Sequence, residues 1–373
     1  ANEVRVNPLQ GFESLTLRKV ENLSKKIAQM FLVALPYTTD EKELFNIVEK
    51  YIEMGVGGFM LGIGGKLPYA EADGVIDIKK LKELVTRLKK LDPTLFIAID
   101  GEGGSIFNLF ENISNLKPQR YYGLEYEKSG STQEYEKDLD QYIGIMKEVG
   151  INMNFAPIFG SAKEGYKGYL SAYDRAYSDK DETVKKLSSI AVKKMHENGI
   201  TAVGKHFPEY GSLNKNPHTD LSKIETYDKK DVLSSAISEG SVEVIMKGHV
   251  LSPIDEDVPA SISEKVEKYI RNDLGFKGLG VTDEIFMHAL SRYYDDLGGD
   301  KDHTKRVVAG AMANDIILMS YPKQKHGDGT ILQAERHDHF ERLHSAVLKA
   351  TENADIDKSK IDESFNRIMK FKN

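Results

Sequence analysis

The sequence predicts a (β/α)8 barrel, and three observations carry that reading: eight short apolar runs, segments of helical period between them, and ionisable residues directly after several of the runs. The runs are Phe31–Leu35, Gly57–Leu61, Leu95–Asp100, Met153–Ile158, Thr201–His206, Val242–His249, Leu279–Asp283 and Asp315–Met319. Their apolar character is nearly continuous rather than alternating, which suits parallel strands covered on both faces. An open, doubly wound sheet is the structural alternative, because alternation of strands and helices does not itself show closure.

Between the runs, helix signals recur in order. Leu44, Ile47, Val48, Tyr51 and Ile52 share one helical face, with Thr39 or Asp40 to cap the start and Gly55 to close the end. The run of glycines from Gly55 to Gly65 lacks phosphate-cradle spacing and reads as tight backbone around the second strand. Ser131 with Glu134 has the spacing of a capping box before the stretch ending at Val149–Gly150. Val184, Leu187, Ile190 and Ala191 repeat the pattern ahead of Gly199. Ser263 caps a helix carrying Val266, Tyr269, Ile270 and Leu274, which Gly275 ends. Ile361, Phe365, Ile368 and Met369 give a last helix that docks on the barrel. Two βα connections, Phe159–Lys180 and Phe207–Asp228, are long, as substrate loops tend to be. No linker or low-complexity tract interrupts the chain, so residues 1–373 are read as one domain.

Composition narrows the function. Cysteine is absent, which excludes disulfides, Cys–zinc sites, iron–sulfur clusters and thiol nucleophiles. A net charge of −7 argues against nucleic acid as a partner. No run approaches the roughly 18 apolar residues of a membrane span. The missing Cys and a start at Ala1 rather than Met favour an exported location over the cytoplasm.

In a barrel the C-terminal strand ends carry the active site. Polar residues there are Asp100, Lys205 with His206, Lys247 with His249, and Asp283. A single Asp after a strand is an ordinary turn former, but four strands delivering charge to one rim call for a ligand. Asp100–Gly104 (DGEGG) lets the chain turn sharply beside a carboxylate. His337 and His339 have no third ligand at metal spacing and are read as surface residues, so no metal or cofactor is expected.

Four segments occur together: DGEGG at Asp100–Gly104, NFAP at Asn154–Pro157, KHFP at Lys205–Pro208 and GFKGLGVTD at Gly275–Asp283. Jointly they resemble glycoside hydrolase family 3, and within it the single-domain β-N-acetylglucosaminidases. The likeness runs from Ile27–Phe31 to Ile361–Ile368. It implies a TIM-type barrel and a retaining exo-glycosidase that releases terminal β-linked N-acetylglucosamine-type residues, with peptidoglycan fragments as their source. Its partner is then a small carbohydrate, and the chain is expected as a monomer or homodimer. The resemblance makes Asp283 the nucleophile that forms a covalent glycosyl intermediate. It makes His218, thirteen residues after Lys205, the acid/base on the loop after the fifth strand. Asp100, Arg175, Lys205 and His206 match positions that hydrogen-bond the sugar, and His249 is expected to line the same pocket. Larger family members can borrow an acid/base from a second domain, whereas the eight runs here leave room only for barrel loops.

Departures concentrate near this site. The Asp that orients the acid/base His is Asn216, and the Ser between them is Pro217. Asn can accept a hydrogen bond but cannot stabilise an imidazolium. Asp220 is a possible stand-in if the loop folds back. Ser105 replaces an Arg, Gly160 an Asp, and Glu209–Gly211 (EYG) a Gly-His-Gly. Two alternatives stay open: a degenerate carbohydrate-binding homologue, motivated by Asn216, and a Schiff-base lyase using Lys205 or Lys247.

Overall fold

A computed structural model describes residues 22–36, 40–62, 77–104, 110, 113–162, 168–211, 213, 220–300, 302–320, 324–325, 331–332 and 338–372. All eight apolar runs contain strands: β1 (Phe31–Ala34), β2 (Gly58–Met60), β3 (Phe96–Ile99), β4 (Met153–Asn154), β5 (Thr201–Phe207), β6 (Val244–Lys247), β7 (Leu279–Thr282) and β8 (Ile317–Met319). They form one parallel sheet in the order β8-β1-β2-β3-β4-β5-β6-β7. The two end strands then meet: Val281 bridges Ile316, and the Thr282 N–H donates to the Ile316 carbonyl at 3.0 Å. Ile316 N–H returns a bond to Gly280 O at 3.0 Å, and Thr282 Oγ1 accepts from Leu318 N at 3.0 Å. The ring is therefore closed as a barrel, and the open-sheet alternative falls.

The glycines of the second run serve close approach. A Cβ at Gly57 would collide with the Gln29 carbonyl and one at Gly58 with the Phe96 carbonyl, so only glycine lets β2 sit this near its neighbours. Helices cover the outside. Glu41–Met54 buries Leu44, Phe45, Ile47, Val48 and Tyr51, with Asp40 as its cap, accepting from Lys42 N and Glu43 N. The helix Gln133–Val149 begins differently from expectation: Thr132 is its N-cap, with no side-chain cap bond, and Thr132 Oγ1 instead donates to Glu136. Ser263 Oγ does accept from Val266 N at 3.1 Å, capping Glu264–Asn272. The last helix, Lys358–Lys372, buries Ile361, Ser364 and Ile368 against the barrel.

Two short pairings lie off the barrel: Ser222–Lys223 beside Val250–Leu251, and Gln324–Lys325 against Ile331–Leu332. The first anchors the returning leg of the long loop after β5 to the segment just after β6, with Ile224 N–H donating to Leu251 O at 2.8 Å.

Closure is locked from outside by Asp315, fully buried one residue before the closing bridge. Its carboxylate accepts from Arg271 Nη2 at 2.7 Å, Arg367 Nη2 at 2.9 Å, Ser364 Oγ at 2.8 Å and Gly280 N at 3.0 Å, with Lys360 Nζ at 3.6 Å. Burial alone would raise its pKa, but Lys360, Arg271 and Arg367 outweigh it and hold the group well below the usual carboxylate range. One anion thus joins the helix Glu264–Asn272, β7, β8 and the last helix. Asp315→Asn keeps the shape but leaves three cations short of an anion, and urea unfolding at pH 7 should show a loss of about 3 kcal/mol. Because the native pKa is depressed, this contribution is complete above the unfolded value of about 4 and fades as pH falls below it. The stability gap between wild type and variant should therefore narrow on acidification.

Candidate active site

Strand β3 ends at Ile99, and the DGEGG turn follows, beginning with Asp100. Asn154 at the end of β4 clamps this turn from both sides: its Oδ1 accepts from Gly101 N at 2.9 Å and its Nδ2 donates to Gly101 O at 3.1 Å. Left-handed φ angles of 95° at Gly103 and 74° at Gly104 then reverse the chain, which glycine does without steric cost. The outcome is a buried Glu102. Arg175 forks onto it, Nε at 2.8 Å from Oε2 and Nη2 at 2.6 Å from Oε1. Lys205 Nζ stands 2.6 Å from Glu102 and 2.6 Å from Asp100. Two cations and two carboxylates therefore interlock at the ends of β3 and β5.

The two carboxylates differ. Burial pushes Glu102 up, but Arg175 and Lys205 prevail and hold it at about 2. Asp100 is pushed up to about 6 by burial, against the pull of Lys205, and its side chain keeps 29% of its surface accessible. Glu102 is thus a fixed internal anion and Asp100 the carboxylate open to a ligand. The DGEGG motif by itself assigns Glu102 no role. The missing information was the pairing with Arg175, 73 residues away.

Lys205 and His206 are adjacent, yet both serve this site. The β5–β6 register slips between Lys205 and Phe207, leaving His206 as an extra residue; such a bulge breaks the strict alternation of faces. His206 Nε2 lies 3.8 Å from Asp283 Oδ2.

Asp283 follows β7 directly. Its Oδ1 accepts from Glu284 N at 2.8 Å, and its Oδ2 accepts from the Tyr210 hydroxyl at 3.4 Å. The next residue, Glu284, turns elsewhere and accepts from Phe286 N and Ser320 N, each at 3.0 Å. Burial raises the Glu284 carboxyl to about 7. Neighbouring acids thus have separate tasks, one facing the rim and one tying the β7 and β8 ends together. Burial raises the Tyr169 hydroxyl above its ordinary range, with the Arg175 charge opposing the rise and those of Glu102, Asp283 and Asp100 adding to it. Tyr169 also packs its ring under Arg175, 4.8 Å from the guanidinium carbon.

Other expected residues fall elsewhere. His249 is fully buried, with Nδ1 2.6 Å from Ser261 Oγ and Nε2 2.7 Å from Glu284 O. With both nitrogens engaged by protein, it supports the Asp283–Glu284 backbone from behind instead of lining the pocket as expected. Lys247 leaves the rim altogether: its ammonium donates to Glu267 at 2.8 Å and to the Ala313 carbonyl, inside the helix layer. A Schiff base needs a neutral amine facing substrate. Lys247 faces none, and Lys205 is bound between two carboxylates. His339 is buried rather than on the surface, beside Phe286 and Arg342. Asp220, the suggested stand-in for the missing dyad acid, forms an ion pair with Arg292 at 3.5 Å. His218, Asn216 and Ser105 lie outside the described residues. Among the described residues no helix is long and apolar enough to cross a membrane, and no three acidic or histidine side chains group as metal ligands.

The chain is similar to proteins already known. The chain is 28% identical over 255 residues to a beta-hexosaminidase of Xylella fastidiosa (strain M23), covering 65% of this chain and 72% of that protein. It is 25% identical over 360 residues to beta-hexosaminidase A of Pseudoalteromonas piscicida, covering 90% of this chain and 56% of that protein. Among solved structures it superimposes on a glycoside hydrolase family 3 beta-N-acetylglucosaminidase from Paenibacillus sp. str. FPU-7 with a TM-score of 0.74 at 24% identity, spanning 94% of this chain and 62% of that one. A beta-N-acetylhexosaminidase from Beutenbergia cavernae gives a TM-score of 0.73 at 20% identity, over 94% and 98% of the two chains. At these identities the superpositions speak for the fold. Residues 22–371 match the family described as Glycosyl hydrolase family 3 N terminal domain, and with that coverage the chain belongs to this family and is a glycoside hydrolase.

Proposed function

We propose that this hydrolase is an exo-acting enzyme that releases terminal β-linked N-acetylhexosamine residues of the N-acetylglucosamine class with retention of configuration, from glycans such as peptidoglycan fragments. The observation that carries the proposal is Asp283: a carboxylate at a barrel rim, held through both oxygens, next to a buried ion set. The beta-hexosaminidase relatives support the sugar class.

In this reading Asp283 attacks the anomeric carbon while the bond to the leaving oxygen breaks and His218 supplies its proton. Water then attacks the same carbon, His218 takes the water's proton, and the bond to Asp283 breaks, returning the carboxylate. Asp100 accepts from sugar hydroxyls through its accessible oxygens. Glu102 holds Lys205 and Arg175 in place, so that the donors lining the ring are already oriented when substrate arrives. His206, beside Asp283, completes the ring contacts. The role of His218 rests on its spacing from Lys205 and on the family resemblance.

Asn216 motivates a second reading, in which the pocket binds sugar but turns over slowly. An imidazole paired with Asn lacks the anion that steadies its protonated form.

Two experiments separate these readings. Asp283→Ala should lower turnover of an aryl β-N-acetylglucosaminide by roughly 10^4-fold or more, as loss of a nucleophile does, with sugar affinity retained by calorimetry; retained activity would sink the assignment. Asn216→Asp should raise kcat most for substrates with poor leaving groups, where proton donation matters most. Equal rates across a leaving-group series in both proteins would show that this loop donates no proton. Added phosphate in the same assays distinguishes phosphorolysis from hydrolysis.

A further inference from the structure

Tyr210 lies in the EYG segment, where the resemblance expects a histidine, and no part of the proposed reaction uses it. It is 1% exposed, and its hydroxyl reaches Asp283 Oδ2 at 3.4 Å. Its ring stacks on His206 with centroids 4.0 Å apart and planes 8° from parallel. The same oxygen is approached by the backbone N–H of His249. Room for it comes from Gly248, where a Cβ would collide with the hydroxyl. Three segments thus converge on one phenol: the β5 end through His206, the β6 end through Gly248 and His249, and the β7 end through Asp283.

Burial and the nearby Asp283 charge push this phenol well above its ordinary range, so it keeps its proton and remains a donor. A neutral donor binds a carboxylate more strongly than it binds an ester oxygen. Contact with Asp283 therefore strengthens in the half-reaction that regenerates the carboxylate. Interactions that grow toward a transition state accelerate that step.

Resting on the reading of Asp283 as nucleophile, we propose that Tyr210 is a positioning residue for it, fixing the carboxylate plane and receiving its returning charge during deglycosylation. In that step water's oxygen bonds to the anomeric carbon, its proton goes to the general base, the carbon–Oδ bond of Asp283 breaks, and the electron pair stays on the carboxylate beside the Tyr210 hydroxyl. No proton leaves Tyr210.

The test is stopped-flow turnover of a dinitrophenyl β-N-acetylglucosaminide by wild type, Tyr210→Phe and Gly248→Ala. Tyr210→Phe removes one oxygen and keeps the ring on His206; Gly248→Ala crowds the hydroxyl away from Asp283. Both should show kcat lowered about 10- to 100-fold, the range of a hydrogen bond to a charged group. KM should fall in parallel, with a burst approaching one product per enzyme as the glycosyl-enzyme accumulates. A residue that merely supports the fold would reduce burst amplitude with kcat and leave KM unchanged. Unchanged kcat and no burst in Tyr210→Phe, in an enzyme that a fluorinated glycoside labels at Asp283, would overturn the role of Tyr210. Failure of wild type to label at Asp283 would instead overturn the nucleophile assignment beneath it.

Discussion

The structure depends on one constraint: eight strands of limited length must meet as a ring. Closure is made where β7 and β8 exchange hydrogen bonds across Gly280, Thr282 and Ile316. Only a closed ring brings the end of β7, with Asp283, around to the ends of β3 and β5, with Asp100 and Lys205. An open sheet would leave them at separated positions. The buried anion Asp315 is therefore relevant to function although it lies away from the rim. It fixes the seam on which the placement of Asp283 depends.

A second constraint is electrostatic. Asp100, Glu102, Arg175 and Lys205 lie at or under the rim, where isolated charge is costly. Interlocking them offsets much of that cost, and the Arg175 fork on Glu102 adds direction to the attraction. The arrangement leaves Asp100 as the accessible member while the others are committed. This division explains how a pocket can present charge to a neutral sugar without collapsing: most donors already have an internal partner, and their orientation precedes binding.

Where the chemistry is local, the sequence pattern carries over into the structure. Asp40 and Ser263 cap the helices that their spacing announced, because an N-cap involves only residues two or three apart. Ser131 with Glu134 had equally good spacing, yet Thr132 begins that helix. Ser131 Oγ takes the Gln133 N–H instead, an equally local bond that sequence cannot rank against a cap. Glu102 shows the limit from the other side. Its motif was visible, but its role comes from partners 73 and 103 positions away in a chain whose folding alone brings them together.

Lys205 and Lys247 mark the boundary most clearly. Both lie near the C-terminal ends of apolar runs, and each has a histidine one or two residues further on. Lys205 pairs with Met246, the residue before Lys247, so alternation along the strand puts the two lysines on opposite faces: Lys205 meets the rim carboxylates and Lys247 buries its ammonium against Glu267. The sequence by itself determined the strand count, the parallel arrangement and the strand-end position of Asp283, since each rests on apolar periodicity or on short motifs. Tertiary structure decided closure, the inward or outward course of each strand-end side chain, and the identity of the fixed anion, because register and long-range charge pairing exist only once the ring is assembled.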